Sequence, residues 1–299
     1  MTILVSGATG AVGGRFVERL MAAGEMPRIA SREPSDLLDR WPDLDAVEFD
    51  VLRPAPLRPA LEGVSAAYYL VHSMETAADG DFKERDAECA SMFAQAASNS
   101  VVKRVIYLVG LGEENDDLSE HLESRHETGR ILAELGPPLL EFRASMVVSA
   151  DSASFTMLTD LVDRLPAMIV PRWVDTPSQP IAIADLLSYL VQGLDTPLEQ
   201  DRTVVEIGGP EVTTYRHMIE AVAAEQGRDP MILGVPLFSL RLSSYWVGLV
   251  TSVSPALARP LIEGMTVPMV VHDDEARRRF PDVEPMPFLE ALRRSLAER

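Results

Sequence analysis

The chain has 299 residues, 46% hydrophobic and 24% charged, enough for one large α/β domain or a domain with a smaller lobe, and its composition excludes long disorder. With 27 Lys and Arg against 46 Asp and Glu, its net charge of −19 repels nucleic acid and anionic headgroups, so no direct nucleic-acid partner is expected. The one cysteine, Cys89, leaves no internal disulfide and no cysteine-based metal site, so no metal is expected; beside Ala90, Met92 and Phe93 it reads as a buried helix position.

In chain order, Met1 to Val5 carries no basic flank and runs straight into glycines, unlike a signal peptide, and the expectation is a soluble, cytoplasmic protein. Thr2 to Ser6 predicts a buried strand, and Gly13 to Ala23 a helix with Phe16, Val17 and Leu20 on one face. Strands follow at Pro27 to Ser31 and, after an Asp- and Pro-rich connection, at Val47 to Val51. A short helix near Pro56 to Glu62 precedes a fourth strand, Ala66 to Val71. Helices at Asp81 to Asn99 and Leu118 to Leu135 enclose a fifth strand, Arg104 to Val109, and Gly136-Pro137-Pro138 stops the second helix before a sixth, Leu139 to Arg143. This is the rhythm of a doubly wound parallel sheet of α/β class.

Later, helices are expected at Phe155 to Leu165, Ala184 to Gly193 and Tyr215 to Gln226, with an extended connection over Pro171 to Pro180 and a strand at Val204 to Ile207. The expected division is a dinucleotide-binding domain over 1–208, with 151–180 an excursion, and a smaller α/β substrate lobe over 209–299. The apolar stretch Tyr245 to Val271 is broken by Pro255, Arg259, Pro260, Glu263 and Pro268, so it predicts no membrane-spanning helix.

The densest signal is the loop Gly7-Ala8-Thr9-Gly10-Ala11-Val12-Gly13. Between a β-run and an amphipathic helix, at the start of a βαβ pattern, three such glycines form a dinucleotide-binding fingerprint. Glycine lets the backbone approach a pyrophosphate, and the next helix offers free N–H groups and a partial positive charge. NAD-binding folds usually carry an acidic residue at the end of the second strand to hold the ribose 2′-hydroxyl. Here stand Ser31 and Arg32, which suit a 2′-phosphate and favour NADP(H) over NAD(H); Glu33 follows at once, and Arg32 also reads as a solvated charge. Asp50, with Val51 at the end of the third strand, reads equally as an adenine acceptor and as a turn former. The end of the fourth strand, Val71-His72-Ser73, faces the expected crevice, with Val71 and His72 toward the cofactor and Ser73 toward substrate, while His72-Ser73 read equally as a simple loop.

Together these residues resemble the extended and atypical branch of the short-chain dehydrogenase/reductase superfamily, and its NmrA-like NAD(P)-binding members in particular. The loop Ser6 to Gly13 is similar to that branch's T-G-x-x-G-x-x-G, with Ser for Thr. Further matches are Val102-Lys103-Arg104-Val105-Ile106-Tyr107-Leu108, Phe142-Arg143-Ala144-Ser145-Met146-Val147, and Ile207-Gly208-Gly209-Pro210-Glu211 with Tyr215 beyond. The resemblance implies a Rossmann fold and a nicotinamide cofactor, with Ser145 beneath the nicotinamide. It also implies a Ser after the fifth strand and a Tyr-x-x-x-Lys on the next helix, and there the chain departs from the pattern. The fifth strand ends Val109-Gly110-Leu111, and His121 and Arg125 stand in place of the Tyr and Lys. Arg125 keeps a cation suited to ribose hydroxyls, and His121 is the alternative acid, one helical turn away on the same side. A guanidinium that close disfavours imidazolium.

Trp173 reads either as part of a substrate mouth or as the anchor of an extended segment, and Tyr245 and Trp246 as lining an apolar pocket or a subunit interface. The expected activity is an NADPH-dependent oxidoreductase acting on a carbonyl, enone or quinone-like apolar small molecule. The rivals are a non-catalytic NADP(H) sensor or assembly protein and a cofactor-retaining isomerase or epimerase. Oligomeric state stays open.

Overall fold

The computed structural model of the protein describes residues 1–71, 82–112, 118–234 and 250–299. Its first half is β1 (Ile3–Ser6), α1 (Ala11–Ala22), β2 (Arg28–Ser31), α2 (Pro34–Arg40), β3 (Ala46–Glu48), α3 (Pro54–Ala60), β4 (Ala66–Tyr69), α4 (Phe82–Ser98), β5 (Arg104–Gly110), α5 (Glu120–Leu135) and β6 (Leu139–Ala144). It continues through β7 (Val147–Val148), α6 (Ala153–Arg164), β8 (Ala167–Val170), a 3-10 turn at Arg172–Asp175, β9 (Pro177–Ser178), β10 (Ile181–Ala182), α7 (Ile183–Gln192) and β11 (Arg202–Ile207). The last described elements are β12 (Thr213–Thr214), α8 (Tyr215–Glu225), β13 (Met231–Gly234), α9 (Pro255–Gly264), α10 (Glu275–Arg279) and α11 (Phe288–Ala297).

Seven strands form one sheet in the order β11-β6-β5-β4-β1-β2-β3, every pairing parallel. Parallel strands need both faces covered, and the alternation supplies two apolar faces. Ile3 and Val5 with Tyr68, Ile106 and Phe142 meet Phe16, Val17 and Leu20 of α1 and Leu186 and Leu190 of α7. Leu4, Tyr69, Val105 and Tyr107 point the other way, onto Phe93 of α4 and Leu132 of α5. The buried phenols find backbone acceptors: Tyr68 Oη donates to Leu190 O at 2.6 Å and Tyr107 Oη to Arg125 O at 3.0 Å. The chain turns from one direction along the sheet to the other between β1 and β4, opening a crevice at their carboxyl ends.

A second apolar cluster is built from α6, α8, α9 and α11, so it draws on residues before and after Gly208. The segment around α10 returns to the first cluster, where Phe280 lies 5.5 Å from the Phe142 ring and 5.4 Å from Tyr189. Among the described residues no helix is long and apolar enough to cross a membrane. Cys89 sits on α4, buried as expected, and burial pushes its thiol up to about 12.

Several local expectations shift, each for a physical reason. The Asp- and Pro-rich connection after β2 contains α2, with Pro34 in its first turn and Leu37 buried. β3 ends at Glu48, not at Val51, because Asp50 Oδ1 accepts the Leu52 N–H at 3.1 Å and turns the chain. The stretch 171–180 is not simply extended: it holds the 3-10 turn, and β9 pairs with β12. α5 begins at Glu120, where the Ser119 side chain accepts the Leu122 N–H.

Where β6, β11 and α5 meet, the fully buried Glu141 carboxylate takes Arg143 Nε at 2.8 Å and Arg202 Nη2 at 3.0 Å. A Cβ at Gly129 would collide with this carboxylate, coming within 3.0 Å of Cδ. Displacing one partner of a buried ion cluster strands charge in low dielectric. Gly129→Ala should therefore cost about 2–4 kcal/mol in urea unfolding at neutral pH, and a loss below 1 kcal/mol would show that the cluster can shift freely.

Candidate functional site

The glycine loop lies at the mouth of the crevice, between β1 and α1. Gly7 has φ +74°, and a Cβ there would run into the Leu70–Val71 peptide, 2.7 Å from Leu70 C and 3.2 Å from Val71 N. A Cβ at Gly13 would stand 2.8 Å from Gly7 C. The protein's own packing thus dictates the first and third glycines. Gly10 differs: its φ of −78° suits any residue, a Cβ would meet only Gly7 O at 3.3 Å, and it is exposed together with Thr9. α1 starts at Ala11 with no side-chain cap and no acidic residue in its first turn, so the amides of Ala11, Val12 and Gly13 keep their polarity toward the crevice. A loop with glycine on its open side, over an uncapped helix, fits a pyrophosphate.

At the neighbouring strand end, Ser31 Oγ is buried and has no hydrogen-bond partner among the described residues, and Arg32 is exposed beyond it. Asp50 is engaged locally. Burial alone would raise its pKa, but Arg53 Nε at 2.8 Å and the Leu52 amide, with Arg32 adding to the field, hold it below the usual carboxylate range. Val51 is half-buried in the turn that Asp50 forms. Of the two readings open for Asp50, the turn is the one with contacts in the structure.

Arg125 meets Val71 just past the end of β4, and His121 lies one turn earlier on α5, within the field of Arg125. Arg125 is almost wholly buried: Nη2 donates to Val71 O at 3.2 Å, Nη1 stands 3.9 Å from Asp86 Oδ2, and the guanidinium lies 5.2 Å from the Tyr107 ring centre. Asp86, on α4, also accepts from Ser124 Oγ at 3.3 Å. Burial first, and the Arg125 charge second, lower the His121 pKa to about 4, so its imidazole is neutral at ordinary pH. His72 and Ser73 lie outside the described residues.

Past β6, Ser145 Oγ and Ser178 Oγ are 2.7 Å apart, both buried, and Ser178 is also hydrogen-bonded to the buried Tyr215. Trp173 is half-buried and packs edge-on to Tyr215 with ring centres 6.2 Å apart, in the second cluster. Tyr245 and Trp246 lie outside the described residues. Neither Asp86 nor Ser178 was singled out from the sequence. Asp86 lies one helical repeat before the buried Cys89 and so faces inward, a buried acid that needs a partner. Ser178 carried no comparable signal, since its partner Ser145 lies 33 positions earlier in the chain, just past β6.

Residues 7–136 match the sequence family described as NAD(P)H-binding. The chain resembles reductases and epimerases in sequence or in fold. A (4-alkanoyl-5-oxo-2,5-dihydrofuran-3-yl)methyl phosphate reductase of Streptomyces griseus subsp. griseus is 26% identical over 227 residues, 76% of this chain and 74% of that protein. The fold of the NADPH-dependent quinone oxidoreductase of Escherichia coli, solved with NADPH, superposes with a TM-score of 0.76 at 17% identity, over 99% of this chain and 100% of the other. The Citrobacter sp. triphenylmethane reductase, solved with NADP(H), gives a TM-score of 0.75 at 15% identity over 99% and 100% of the two chains. Sugar-nucleotide epimerases share the same architecture. Together these findings give residues 7–136 an NAD(P)H-binding family match and the whole chain the Rossmann-like fold of these reductases and epimerases.

Two tests follow from the geometry. Gly10→Ala should keep the melting temperature within a few degrees, roughly what a loss under 1 kcal/mol gives, yet weaken dinucleotide binding at least ~10-fold in a fluorescence titration. Unchanged affinity would mean that Gly10 does not face the ligand. The second concerns His121. The unfolded chain protonates this imidazole near 6.5 and the folded chain only near 4, so its contribution to stability is whole above 6.5 and lost as the pH falls to 4. His121→Gln should therefore flatten the stability curve between those pH values, and equal slopes for the two proteins would show that His121 titrates normally.

Proposed function

We propose that the protein is an NADPH-dependent reductase of conjugated, apolar carbonyl compounds such as enones, butenolides and quinones. The observation that carries this is the glycine loop whose exposed Gly10 is left unconstrained over an uncapped helix at the β1–β4 crevice. Gly7, Thr9, Gly10, Ala11, Val12 and Gly13 would hold the pyrophosphate, with Val71 and Ser145 lining the crevice further along. Exposed Arg32, just past β2 where an acidic residue would hold a ribose 2′-hydroxyl, supports a 2′-phosphate, hence NADP(H) over NAD(H).

When bound, NADPH supplies a hydride. The chain's own residues then have to position the acceptor, exclude water and meet the negative charge that appears on it. His121 is a poor acid in this setting: neutral, it offers an N–H hydrogen bond and no proton of suitable strength. That limitation selects the substrate. A simple ketone becomes an alkoxide and needs a strong proton donor at once. A conjugated acceptor spreads the charge over its carbonyl and needs only a hydrogen bond and later protonation by water. The Streptomyces griseus relative is named for a conjugated acceptor of this kind, though one that also carries a phosphate: its 2,5-dihydrofuranone ring bears an alkanoyl group and a ring carbonyl on one double bond. The two reductases of like fold are named for a quinone and for triphenylmethane dyes, which are also delocalised acceptors.

The test is NADPH consumption over a panel of enones, butenolides, quinones and saturated ketones. Turnover with the conjugated compounds and none with the ketones is expected; turnover with ketones alone would remove the proposal, and binding without turnover would favour a sensor. Arg32→Glu should weaken NADPH binding by about 10- to 100-fold and leave NADH binding within about three-fold, the size of a charged phosphate contact. Equal losses for both would locate Arg32 away from the 2′ position.

A further inference from the structure

The Leu70–Val71 peptide is gripped from two sides. On one side Gly7 lies so close that a Cβ would clash, and Leu70 N donates to Ser6 Oγ at 3.3 Å while that hydroxyl donates to Tyr68 O at 2.8 Å. On the other side the Arg125 guanidinium donates to Val71 O at 3.2 Å. Arg125 is itself fixed: it is 4% exposed, lies against the Tyr107 ring, and faces Asp86, which the Ser124 hydroxyl holds. Tyr107 Oη closes the arrangement on Arg125's own carbonyl. The guanidinium is thus enclosed at the back of the peptide on which the glycine loop rests, with one donor on Val71 O and the Asp86 carboxylate 3.9 Å away.

We propose that Arg125, backed by Asp86, is a positioning residue for the cofactor, acting through the Val71 peptide on the shape of the glycine loop without touching the nicotinamide ribose. Ionic and hydrogen-bonded contacts on α4 and α5 thereby set a loop that β1 and α1 carry. The chain Asp86–Arg125–Val71–Gly7 crosses four elements and ends where the pyrophosphate would lie. This rests on the cofactor reading above and adds to it the residues that hold the loop in shape.

The experiment uses two probes on the full chain: NADPH, and 2′,5′-ADP, which has the adenosine half and no nicotinamide ribose. Arg125→Met, Arg125→Lys and Asp86→Asn are compared with wild type by titration, well below each protein's melting temperature. Arg125→Met should weaken both probes by the same factor, about ten-fold, as expected for a lost charged hydrogen bond. Arg125→Lys, which can still reach the Val71 carbonyl, should recover most of both losses. Asp86→Asn, near-isosteric and still able to accept from Ser124, should weaken both probes alike and by less. If Arg125→Met fails to fold, the other two variants carry the test, with the expectation that every loss is shared equally between the probes. Weakening of NADPH with 2′,5′-ADP unchanged would place Arg125 on the nicotinamide ribose and overturn the proposal. Altered melting temperature with both affinities intact would overturn it as well, making Arg125 a packing residue. Wild-type protein that binds neither probe would instead refute the cofactor reading itself.

Discussion

The site depends on a contact with no room in it. Where the chain leaves β1, Gly7 rests on the Leu70–Val71 peptide of β4, and Gly13 rests in turn on Gly7. Two parallel strands can diverge into a crevice only if the loop at their ends does not fill it. Absent side chains at Gly7 and Gly13 let the loop fold flat against β4 and bring the first turn of α1 over the gap. Much else supports that contact. The pairing of β1 with β4 sets its height, the packing of Phe16 on Tyr68 at 4.4 Å sets the angle of α1, and Ser6 fastens the strand ends together.

The electrostatics of this region run against the protein as a whole. A net charge of −19 would repel a dinucleotide carrying several phosphate charges if the field were uniform. It is not uniform, because salt screens exposed charges beyond about 8 Å. Within that radius what counts is local: an uncapped helix start free of acids, exposed Arg32, and an Asp50 already occupied by Arg53 and the Leu52 amide. The same locality explains His121. The protein's overall acidity would raise an imidazole pKa, yet burial and one guanidinium lower it to about 4.

The parts of the fold that rest on local pattern were legible in the sequence. The short apolar runs of β1 and β5, the Phe16-Val17-Leu20 stripe of α1 and the glycine loop each announce themselves within a few residues, and the parallel sheet follows from their order. α2 was hidden because Pro34, Asp36 and Asp39 read as loop residues, although Pro at a helix start and an acid in its first turn are helix signals. In the site, Gly7 to Gly13, Ser31 and Arg32 stood out because strand-end positions are predictable once the strands are. The roles of Asp86 and Ser178 were not legible, since each is defined by a partner distant in sequence: Arg125 lies 39 positions beyond Asp86, and Ser145 lies 33 before Ser178. The motif pairs Arg125 with a ribose-binding lysine, and its planar guanidinium of greater reach lies against Tyr107 and the Val71 carbonyl, contacts that residue type alone does not announce.

That substitution has a chemical consequence. A Tyr and Lys pair serves two ends at once, since the lysine charge lowers the tyrosine pKa and so makes it a usable acid. Here the cation is kept and the hydroxyl is lost, and the same positive charge beside an imidazole acts in the opposite sense. It favours a phenolate but disfavours an imidazolium, so the helix position that would hold an acid holds a neutral hydrogen-bond donor. Under the function proposed above, such a site favours acceptors that disperse charge within their own π system over those whose reduction creates a localised alkoxide, and orientation against the cofactor would supply most of the rate. On that reading the absence of a tyrosine at this helix position leaves hydride chemistry open and narrows the range of acceptors that can use it.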